Sequence, residues 1–487
     1  MHFNFDNTYA RELEGFYIPW QGAEVPAPAI VKVNETLAHE LQLDPSALQS
    51  SEGAAILAGA RSPADATPLA QVYAGHQFGG FSPRLGDGRA LLVGELIDRY
   101  GQRRDLHLKG SGRTPFSRGG DGKAVLGPVL REYLMGEAMY ALGIPTTRAL
   151  AAVTTGETIR REGLLPGAVL ARVAASHIRV GTFQFFAAQG ETEKVRQLAD
   201  YAIARHYPDL AQTEKPYLAF LRAVCQRQAA LIAKWMTVGF VHGVMNTDNM
   251  AISGETIDYG PCAFIDTYDR KAVFSSIDQH GRYAFGNQPA IAQWNLARFA
   301  ETLLPLIDSQ EAEAIRLATE VIQGFAAQYT TCWLDEMRAK LGLVTRAEAD
   351  LALVNNLYAA MDGQQVDFTQ FFRSLSTAVL GNPEPAQQCF ADRAKFTAWF
   401  EQWQARVQCE ALSPAERAQA MNAANPIYIP RNHKVEEALQ SAVAGDLAKF
   451  EQLLTVLAKP FEERVGLEEY VKPAPPEFGT YTTFCGT

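Results

Sequence analysis

The spacing of apolar residues divides this chain into a first part with strand-like runs and a second part with helical periodicity. In the first part, short apolar or alternating runs lie between glycine-containing turns, which is typical of β-strands. These runs predict four strands, at residues 90–97, 105–109, 149–154 and 168–173. Between the second and the third strand, apolar side chains repeat at helical spacing over residues 129–142 and stop at Gly143, so a helix is predicted there.

From about residue 180 onward the periodicity is mainly helical. Amphipathic stretches predict helices at residues 217–238, 290–306 and 311–341. A polar island, residues 242–266, interrupts them. A small mixed α/β lobe followed by a large helical lobe with a polar island is the order found in protein kinases.

We therefore predict an α+β fold, protein-kinase-like and bilobal, with a small mixed α/β N-lobe, a large and mainly helical C-lobe, and an extension at each end. The predicted divisions are an N-terminal extension (1–65), the N-lobe (66–175), the C-lobe (176–420) and a C-terminal tail (421–487).

Composition narrows the functional classes. Of the 487 residues, 47% are hydrophobic and 20% are charged, an ordinary balance for a globular protein of two or three lobes. The formal net charge of -10 argues against a general nucleic-acid binder. The six cysteines form no CxxC pair, and the sequence has neither a leader-like start nor an apolar run long enough for a bilayer. We expect a cytoplasmic monomer with no nucleic-acid and no membrane partner.

A glycine-rich turn with an arginine precedes the first predicted strand. Gly86, Gly88 and Arg89 lie just before residue 90. Glycines in such a place let backbone N–H groups approach a phosphate, and the arginine adds positive charge. A simple tight turn explains the same residues, so both interpretations stay open.

Lys109 closes the next predicted strand and leads into a glycine-rich, basic stretch, residues 110–123, that contains Asp121 and Gly122. The stretch is not a Walker A loop, because the GxxxxGK[ST] pattern is absent. Residues 84–123 hold nine Lys or Arg and five Asp or Glu, although the whole chain is acidic. This local excess of positive charge favours a phosphate site over a flexible solvated loop.

The helix after this stretch carries two glutamates that are candidate partners for the lysine. In protein kinases, a glutamate on this helix holds the strand lysine on the triphosphate. Glu132 is the first choice and Glu137 the second, and a solvent-exposed glutamate is the alternative. Arg172 and Arg179, near the predicted junction of the lobes, are candidates for gripping a terminal phosphate, although surface arginines are common.

The polar island carries the strongest candidate site. Residues 242–250 read HGVMNTDNM and residues 257–260 read IDYG. Kinases place an Asp base, an Asn metal ligand and an Asp-Phe-Gly motif in this order. Asp248 is the candidate base for a hydroxyl group. Asn249 and Asp258 offer hard oxygen ligands, which suit Mg²⁺ or Mn²⁺.

Several longer motifs together resemble one known family. They are YAGHQFG at 73–79, LKGSGRTP at 108–115, SRGGD at 117–121, HGVMNTDNM at 242–250, NQP at 287–289, NP at 425–426 and FCGT at 484–487. They resemble the selenoprotein O (SelO, YdiU) family over nearly the whole chain. The resemblance implies a protein-kinase-like pseudokinase that binds ATP in a flipped orientation and transfers AMP, not the terminal phosphate, to hydroxyl side chains of proteins.

The resemblance also implies roles for individual residues around ATP and a Mg²⁺ or Mn²⁺ ion. Asp248 is the implied proton acceptor, and Asn249 and Asp258 are the implied metal ligands. The implied nucleotide-binding residues are Gly86, Gly88, Arg89, Lys109 with its partner Glu132, Asp121, Gly122, Arg172 and Arg179. The implied partners are protein substrates with hydroxyl side chains, and a link to redox-related substrates is left open.

Three other activities would use the same cleft: UMP transfer from UTP, ordinary phosphotransfer by a protein kinase, and nucleotide sensing by a scaffold without catalysis. A pure scaffold has no need of the metal-binding residues, which counts against the third.

Cys485 lies where eukaryotic members of the family carry selenocysteine near the C-terminus. A regulatory disulfide and a free thiol on a frayed tail are both open for it.

Overall fold

The computed structural model describes residues 2–484, which form a mixed α+β structure. All four predicted strands are confirmed: β6 has the predicted limits, and β7, β9 and β10 are longer. The strands are β1 (Tyr17–Pro19), β2 (Ala29–Val33), β3 (Leu69–Gln71), β4 (Gly75–Gln77), β5 (Gly80–Ser82), β6 (Ala90–Ile97), β7 (Arg103–Lys109), β8 (Ala124–Val125), β9 (Arg148–Arg160), β10 (Leu164–Ala174), β11 (Phe240–Val241) and β12 (Ala263–Phe264).

Helices make up most of the chain after residue 180. They are α1 (Thr8–Glu12), α2 (Glu35–Glu40), α3 (Pro45–Leu48), α4 (Ser51–Leu57), α5 (Leu126–Ala141), α6 (Val180–Ala187), α7 (Thr192–His206), α8 (Pro216–Val238), α9 (Gln288–Ile307), α10 (Glu311–Gln323), α11 (Phe325–Lys340), α12 (Asp350–Met361), α13 (Phe368–Val379), α14 (Glu384–Gln388), α15 (Arg393–Val407), α16 (Pro414–Ala424), α17 (Asn432–Val443) and α18 (Ala448–Leu457).

The predicted helices at 129–142, 217–238 and 290–306 are confirmed as α5, α8 and α9. The prediction of one continuous helix at 311–341 is wrong, because the structure has two helices there, α10 and α11. Gly324 lies between them, and glycine is the weakest helix former after proline.

One antiparallel sheet organises the N-terminal part. Its strands lie in the order β1-β3-β6-β7-β10-β9-β2, and β8 pairs with β10. Two of these strands, β1 and β2, come from the first 65 residues. The register of β7 and β10 places Arg172 opposite His107 and Leu170 opposite Lys109. Side chains from both central strands therefore meet on the same face of the sheet.

Side chains of β7 alternate between an apolar face and a polar face. Leu106 and Leu108 belong to a buried cluster that also holds apolar residues of α2, α3 and α4. Because successive strand residues point to opposite faces, His107 and Lys109 point the other way. On that second face α5 packs against β9 and β10. The alternating sequence of β7 thus delivers its polar side chains to the side of the sheet that carries α5.

The C-terminal part is built around α8, which packs against α9 and α11. This helix ends at Gly239, whose left-handed backbone (φ 77°) is a common helix stop. The predicted tail contains α17 and α18, and both pack against α5.

Among residues 2–484, no helix combines the length and the apolar character needed to cross a membrane. The limits of the four predicted divisions stay predictions.

A buried ionic array, formed by Glu95, Asp105, His107, His177 and Arg205, joins the sheet to α7. Arg205 donates to Glu95 Oε1 and to Asp105 Oδ1, each over 2.6 Å. Asp105 Oδ2 also accepts from the backbone N–H of His177 at 2.8 Å and lies 3.0 Å from its Nδ1. The rings of His177 and His107 stack with centroids 4.1 Å apart. Loss of Arg205 would leave the carboxylates of Glu95 and Asp105 buried without a cation, so its ion pairs hold α7 against the sheet.

Candidate active site

The polar face of the sheet and the polar island border one cavity of about 430 Å³, a volume in the range of small-molecule sites. The predicted site residues that line it are Gly86, Gly88, Arg89, Lys109, Asp121, Gly122, Arg172, Arg179, Asp248, Asn249 and Asp258. Glu132 lies on the wall of a second cavity, of about 740 Å³, that shares Arg89 and Lys109 with the first.

Four charged side chains form a compact cluster at the back of the 430 Å³ cavity. Lys109 Nζ donates to Glu132 Oε2 and to Asp258 Oδ1, each over 2.6 Å. Arg172 Nη1 donates to the same two carboxylates, at 2.9 Å and 2.6 Å. Glu137, the second choice for the lysine partner, instead bonds Arg148 with both of its oxygens at 2.8 Å. The geometry therefore favours Glu132 as the partner of Lys109.

Asp258 is held in an unusual backbone conformation. Its φ of 66° is in the left-handed region, which non-glycine residues seldom adopt. Hydrogen bonds fix both neighbours: the ring of His242 bonds Ile257 O at 2.9 Å, and the Tyr259 hydroxyl bonds Thr146. Burial acts to raise the pKa of Asp258, but the charges of nearby arginine and lysine side chains outweigh it and lower that pKa well below its ordinary value. Asp258 is therefore ionised at neutral pH.

Asp248 lies on a single helical turn, Thr247–Asn249, and only 8% of its surface is exposed. Gln77 Nε2 donates to Asp248 Oδ2 at 3.3 Å. The other oxygen, Oδ1, has no hydrogen-bond partner within residues 2–484 and packs against Gly75, where a Cβ atom would lie 2.4 Å from it. Burial raises the pKa of Asp248 to about 6. Such a carboxylate is still mostly ionised at pH 7 but holds a proton more readily than an ordinary aspartate.

The oxygens of Asn249 and Asp258 fit a divalent cation that is shared with a substrate. Asn249 donates its Nδ2 to Val244 O at 3.0 Å, so the oxygen of the amide is the group it can offer to a cation. The part of the chain that the structure describes holds no cluster of three His, Cys, Asp or Glu side chains suited to a metal. Mg²⁺ commonly takes one or two protein oxygens and completes its shell with phosphate oxygens and waters. The donor set suits that arrangement better than an all-protein site.

The basic stretch 110–123 is anchored over the cavity. Asp121 accepts hydrogen bonds from Arg161 at 2.8 Å and 2.9 Å and from the backbone N–H of Lys123 at 3.0 Å. Its bond to Arg161 lowers the pKa of Asp121. Lys123 forms an ion pair with Glu157 of β9. These contacts hold the stretch against the hairpin of β9 and β10, which argues against a freely solvated loop.

Gly86 is needed at its position for a steric reason. Its φ is 66°, and a Cβ atom there would lie 2.3 Å from Cγ of Phe116. The glycine turn before β6 is thus packed directly against the ring of a residue in the basic stretch. This close approach brings Gly88 and Arg89 to the same cavity wall as Asp121.

A chain of hydrogen bonds holds the guanidinium of Arg172 in place. It runs through His107 and Asp87, to which the sequence interpretation assigned no role. Arg172 Nε donates to His107 Nδ1, and His107 Nε2 lies near Asp87 Oδ2, each over 3.2 Å. Since Nδ1 accepts, Nε2 carries the ring proton and donates to Asp87. Burial lowers the pKa of His107, consistent with a neutral ring. The alternating polar positions of β7 were the available signal for His107.

The two arginines at the site are almost fully buried, although both border the cavity. Arg172 is 2% exposed and Arg179 is 1% exposed. Arg179 Nη2 lies 3.9 Å from Asp258 Oδ2, and its guanidinium covers the ring of Tyr73 at 4.4 Å. Both arginines therefore set the position and charge of Asp258 as well as bordering the cavity.

The cysteines offer no disulfide in the described residues, where Cys225, Cys262, Cys332, Cys389 and Cys409 are all free. Cys485 lies outside residues 2–484, so its role stays a prediction. Cys262 is close to Asp258 along the chain and is buried, and burial raises the pKa of its thiol to about 11. Little of it is thiolate at neutral pH, and a thiol in that state is a poor redox partner.

Comparison with known proteins identifies the family. The sequence profile of the family described as "Protein adenylyltransferase SelO" matches residues 1–458. The chain belongs to the SelO family. Proteins similar to this SelO-family chain carry the name "Protein nucleotidyltransferase YdiU". One from Cereibacter sphaeroides (strain ATCC 17023) is 61% identical over 489 residues, which cover 100% of both chains.

Two further relatives with that name extend the similarity to other bacteria. The protein from Mycobacterium sp. (strain KMS) is 56% identical over 485 residues, 99% of each chain. The protein from Rhizobium leguminosarum bv. trifolii (strain WSM2304) is 56% identical over 492 residues, which cover 100% of this chain and 97% of that protein. The family resemblance expected from the motifs is confirmed.

Proposed function

We propose that this SelO-family enzyme transfers AMP from ATP to Ser, Thr or Tyr hydroxyls of protein substrates and releases pyrophosphate. Family membership establishes the broader class, protein nucleotidyltransferase. We further propose that the sheet and the helical part correspond to the two lobes of a protein-kinase-like fold. The Lys109–Glu132 pair between β7 and α5, and the order of Asp248, Asn249 and Asp258, support that correspondence.

One observation carries the proposal: a single cavity joins an excess of positive charge to a buried, partly unpaired carboxylate. Among residues 2–484, the basic side chains that line it are Arg89, Lys109, Arg118, Lys123, Arg161, Arg172 and Arg179. The acidic side chains of the same range that line it are Asp87, Asp121, Asp248 and Asp258. The excess of positive charge suits a triphosphate, and the carboxylate at 248 suits a hydroxyl group that must lose its proton.

In the proposed reaction, the oxygen of the acceptor hydroxyl forms a bond to the α-phosphorus of ATP. The bond from the α-phosphorus to the oxygen that bridges to the β-phosphorus breaks, and pyrophosphate leaves. The hydroxyl proton passes to the carboxylate of Asp248, which lines the cavity. Lys109 and Arg89 offset charge on the phosphates, and the ion pairs of Glu132 and Arg172 keep Lys109 and Asp258 in place.

Asn249 and Asp258 would hold a Mg²⁺ or Mn²⁺ ion together with the phosphates of the nucleotide. A divalent ion there would stabilise the negative charge that develops on the departing pyrophosphate. The protein itself keeps the carboxylate of Asp258 ionised and directed into the cavity. The ion pairs of Asp258 with Lys109 and Arg172 produce this effect.

The test is a label-transfer assay with purified enzyme, an acceptor protein and Mg²⁺ or Mn²⁺. Label from α-labelled ATP should appear on protein, and label from γ-labelled ATP should not. The reverse pattern would indicate an ordinary kinase, and no transfer from either would indicate a nucleotide-sensing scaffold. Labelled UTP in the same assay distinguishes AMP transfer from UMP transfer, which the name "nucleotidyltransferase" of the relatives leaves undecided.

Asp248→Asn tests the assignment of the base, because it keeps the size of the side chain and removes its capacity to accept a proton. Transfer should fall by about 10²–10⁴-fold, while nucleotide binding persists. Asp200→Asn on α7 is a control for the chemical change alone, since Asp200 is exposed and outside the cavity. Unchanged transfer by Asp248→Asn would refute the role of the base.

A further inference from the structure

The hairpin of β4 and β5 is bound directly to the loop that carries Asp248. Phe78, at the tip of the hairpin, donates its backbone N–H to Asn246 Oδ1 at 3.2 Å and to the hydroxyl of Tyr283 at 3.1 Å. The side chain of the preceding residue, Gln77, bonds Asp248 itself. The tip of the hairpin is therefore held at a fixed position beside the proposed base.

The backbone at this tip is strained in a way that displays an aromatic ring. Phe78 has φ of 52° and Gly79 has φ of 89°, which is the pattern of a tight type I′ turn. Asn, Asp or Gly normally occupies the first of these positions, and a bulky residue there is an outlier. Phe78 is nevertheless 37% exposed, although its ring packs against that of Tyr283 with centroids 5.1 Å apart. A strained backbone at a residue whose apolar side chain is exposed indicates that this side chain contacts another molecule.

A groove of about 520 Å³ runs from this ring along the loop after the polar island. Phe78 and Ile277 line both the groove and the 430 Å³ cavity, so the two spaces adjoin at these residues. Ile277 is 49% exposed and Phe81, on the same hairpin, is 42% exposed. Exposed apolar side chains grouped beside a catalytic cavity are typical of a docking surface.

The charges along the groove do not oppose a protein chain. The carboxylate of Asp278 is occupied by the backbone N–H groups of Arg282 and Tyr283, at 2.9 Å and 2.7 Å. The guanidinium of Arg282 lies over the ring of Trp294 at 4.8 Å. The groove is thus lined by apolar and polar side chains, and this mixture matches an apolar side chain flanked by backbone carbonyl groups. The apolar lining residues are Phe78, Ile277 and Ile291, and the polar ones are Asp278, Gln279, His280, Arg282 and Asn287.

We propose that this groove binds the extended segment of the protein substrate that flanks the acceptor hydroxyl, with one large apolar side chain seated between Phe78 and Ile277. The inference rests on the proposed function and names the kind of acceptor it takes. Phe78 follows Gln77, whose side chain bonds Asp248, so the groove begins close to the proposed base. Because an extended chain advances about 3.3 Å per residue, we place the apolar residue within about three positions of the acceptor hydroxyl. The groove shares the wall residues Phe78 and Ile277 with the cavity, and for this reason a substrate segment, rather than a second copy of this chain, is the occupant.

The experiment uses a peptide library with a central Ser, Thr or Tyr and one fixed neighbour at a time, with α-labelled ATP as the donor. The full-length enzyme should prefer Leu, Ile, Met or Phe at one position within three residues of the acceptor, by about tenfold or more in kcat/KM. Ile277→Asp should abolish that preference, and the dissociation constant for ATP is measured beside it because Ile277 also borders the cavity. Ile315→Asp on α10 is the matched control, because Ile315 is 45% exposed and lines neither the groove nor the 430 Å³ cavity.

Each outcome decides the matter. A preference that Ile277→Asp removes and Ile315→Asp keeps supports the docking groove. A preference that both variants keep, or transfer with no preference by the native enzyme, overturns it while the proposed function stands. Absence of α-label transfer by the native enzyme on a whole-protein acceptor overturns the proposed function itself. Phe78→Ala provides a second variant with the same expected loss, in case the aspartate at 277 disturbs the loop.

Discussion

Gly75→Ala should disable catalysis by displacing a single carboxylate. A Cβ atom on residue 75 would lie 2.4 Å from Oδ1, 2.9 Å from Cγ and 3.0 Å from Cβ of Asp248. Ordinary contact between such atoms needs about 3.4 Å or more, so the carboxylate must move by about 1 Å. Misplacement of a reacting group by about 1 Å lowers a rate by about 10²-fold, which corresponds to about 2.7 kcal/mol in the barrier.

The assay measures kcat for α-label transfer to a protein acceptor beside the dissociation constant for ATP. We expect kcat to fall about 10²-fold in Gly75→Ala, with ATP binding changed by less than about threefold, because Lys109 and Arg172 are untouched. Gly80→Ala, in the same hairpin, is the matched control. Its Cβ atom would meet only Gln77 O, at 3.6 Å, and its backbone is not in the left-handed region.

Two results would refute the reasoning. If Gly75→Ala keeps kcat within about twofold, the position of Asp248 does not limit the reaction, and its assignment as the base fails. If Gly80→Ala loses as much activity as Gly75→Ala, the hairpin as a whole is responsible and the steric argument about one carboxylate is wrong. Thermal unfolding of both variants checks that each remains folded.

Three further predictions concern the metal, the ion pairs and stability. Asn249→Ala should raise the Mg²⁺ or Mn²⁺ concentration for half-maximal transfer by about tenfold, and an unchanged midpoint in a metal titration would contradict its role as a ligand. Arg172→Lys keeps the charge but loses the planar donors that bond Glu132 and Asp258 together, so kcat should fall by about 10²-fold in the transfer assay; full activity would show that the charge alone suffices. Burial lowers the pKa of Lys340 to about 7. Between about pH 7 and pH 10 the unfolded chain therefore holds a proton that the folded protein lacks, and this lysine makes stability rise with pH by at most about 1.4 kcal/mol per unit. Lys340→Met should remove that slope and be the more stable protein at pH 7, as urea unfolding at several pH values would measure; parallel curves would contradict the linkage.

The sequence predicted elements well where a pattern repeats several times. The strand at 90–97 and the helix α8 each contain enough apolar positions for the period to be recognised. Strands of two or three residues, such as β1 and β8, are too short to show a period, so they were missed. The break at Gly324 was missed because the amphipathic pattern continues on both sides of it, and only the backbone shows where one helix ends.

For the site, motif order placed Lys109, Glu132 and Asp258 together, and the structure brings them within hydrogen-bonding distance. The contacts that hold these side chains in place could not be predicted from the sequence, because they join residues that are distant along the chain. Gln77 and Asp248 are 171 positions apart, and no local pattern links them. The groove beside Phe78 is likewise a product of chain folding, since its walls come from a hairpin before β6 and a loop after β12.

The buried ionic array has a consequence for how this sequence can change over evolutionary time. Arg205 compensates two carboxylates at once, those of Glu95 and Asp105. Replacing Arg205 alone leaves both carboxylates buried without their cation, which costs about 3–5 kcal/mol, a large share of the stability of a domain. A neutral residue at position 205 is therefore not accessible by a single replacement and requires simultaneous changes at positions 95 and 105. Among descendants of this gene, the array should be inherited intact or exchanged as a set.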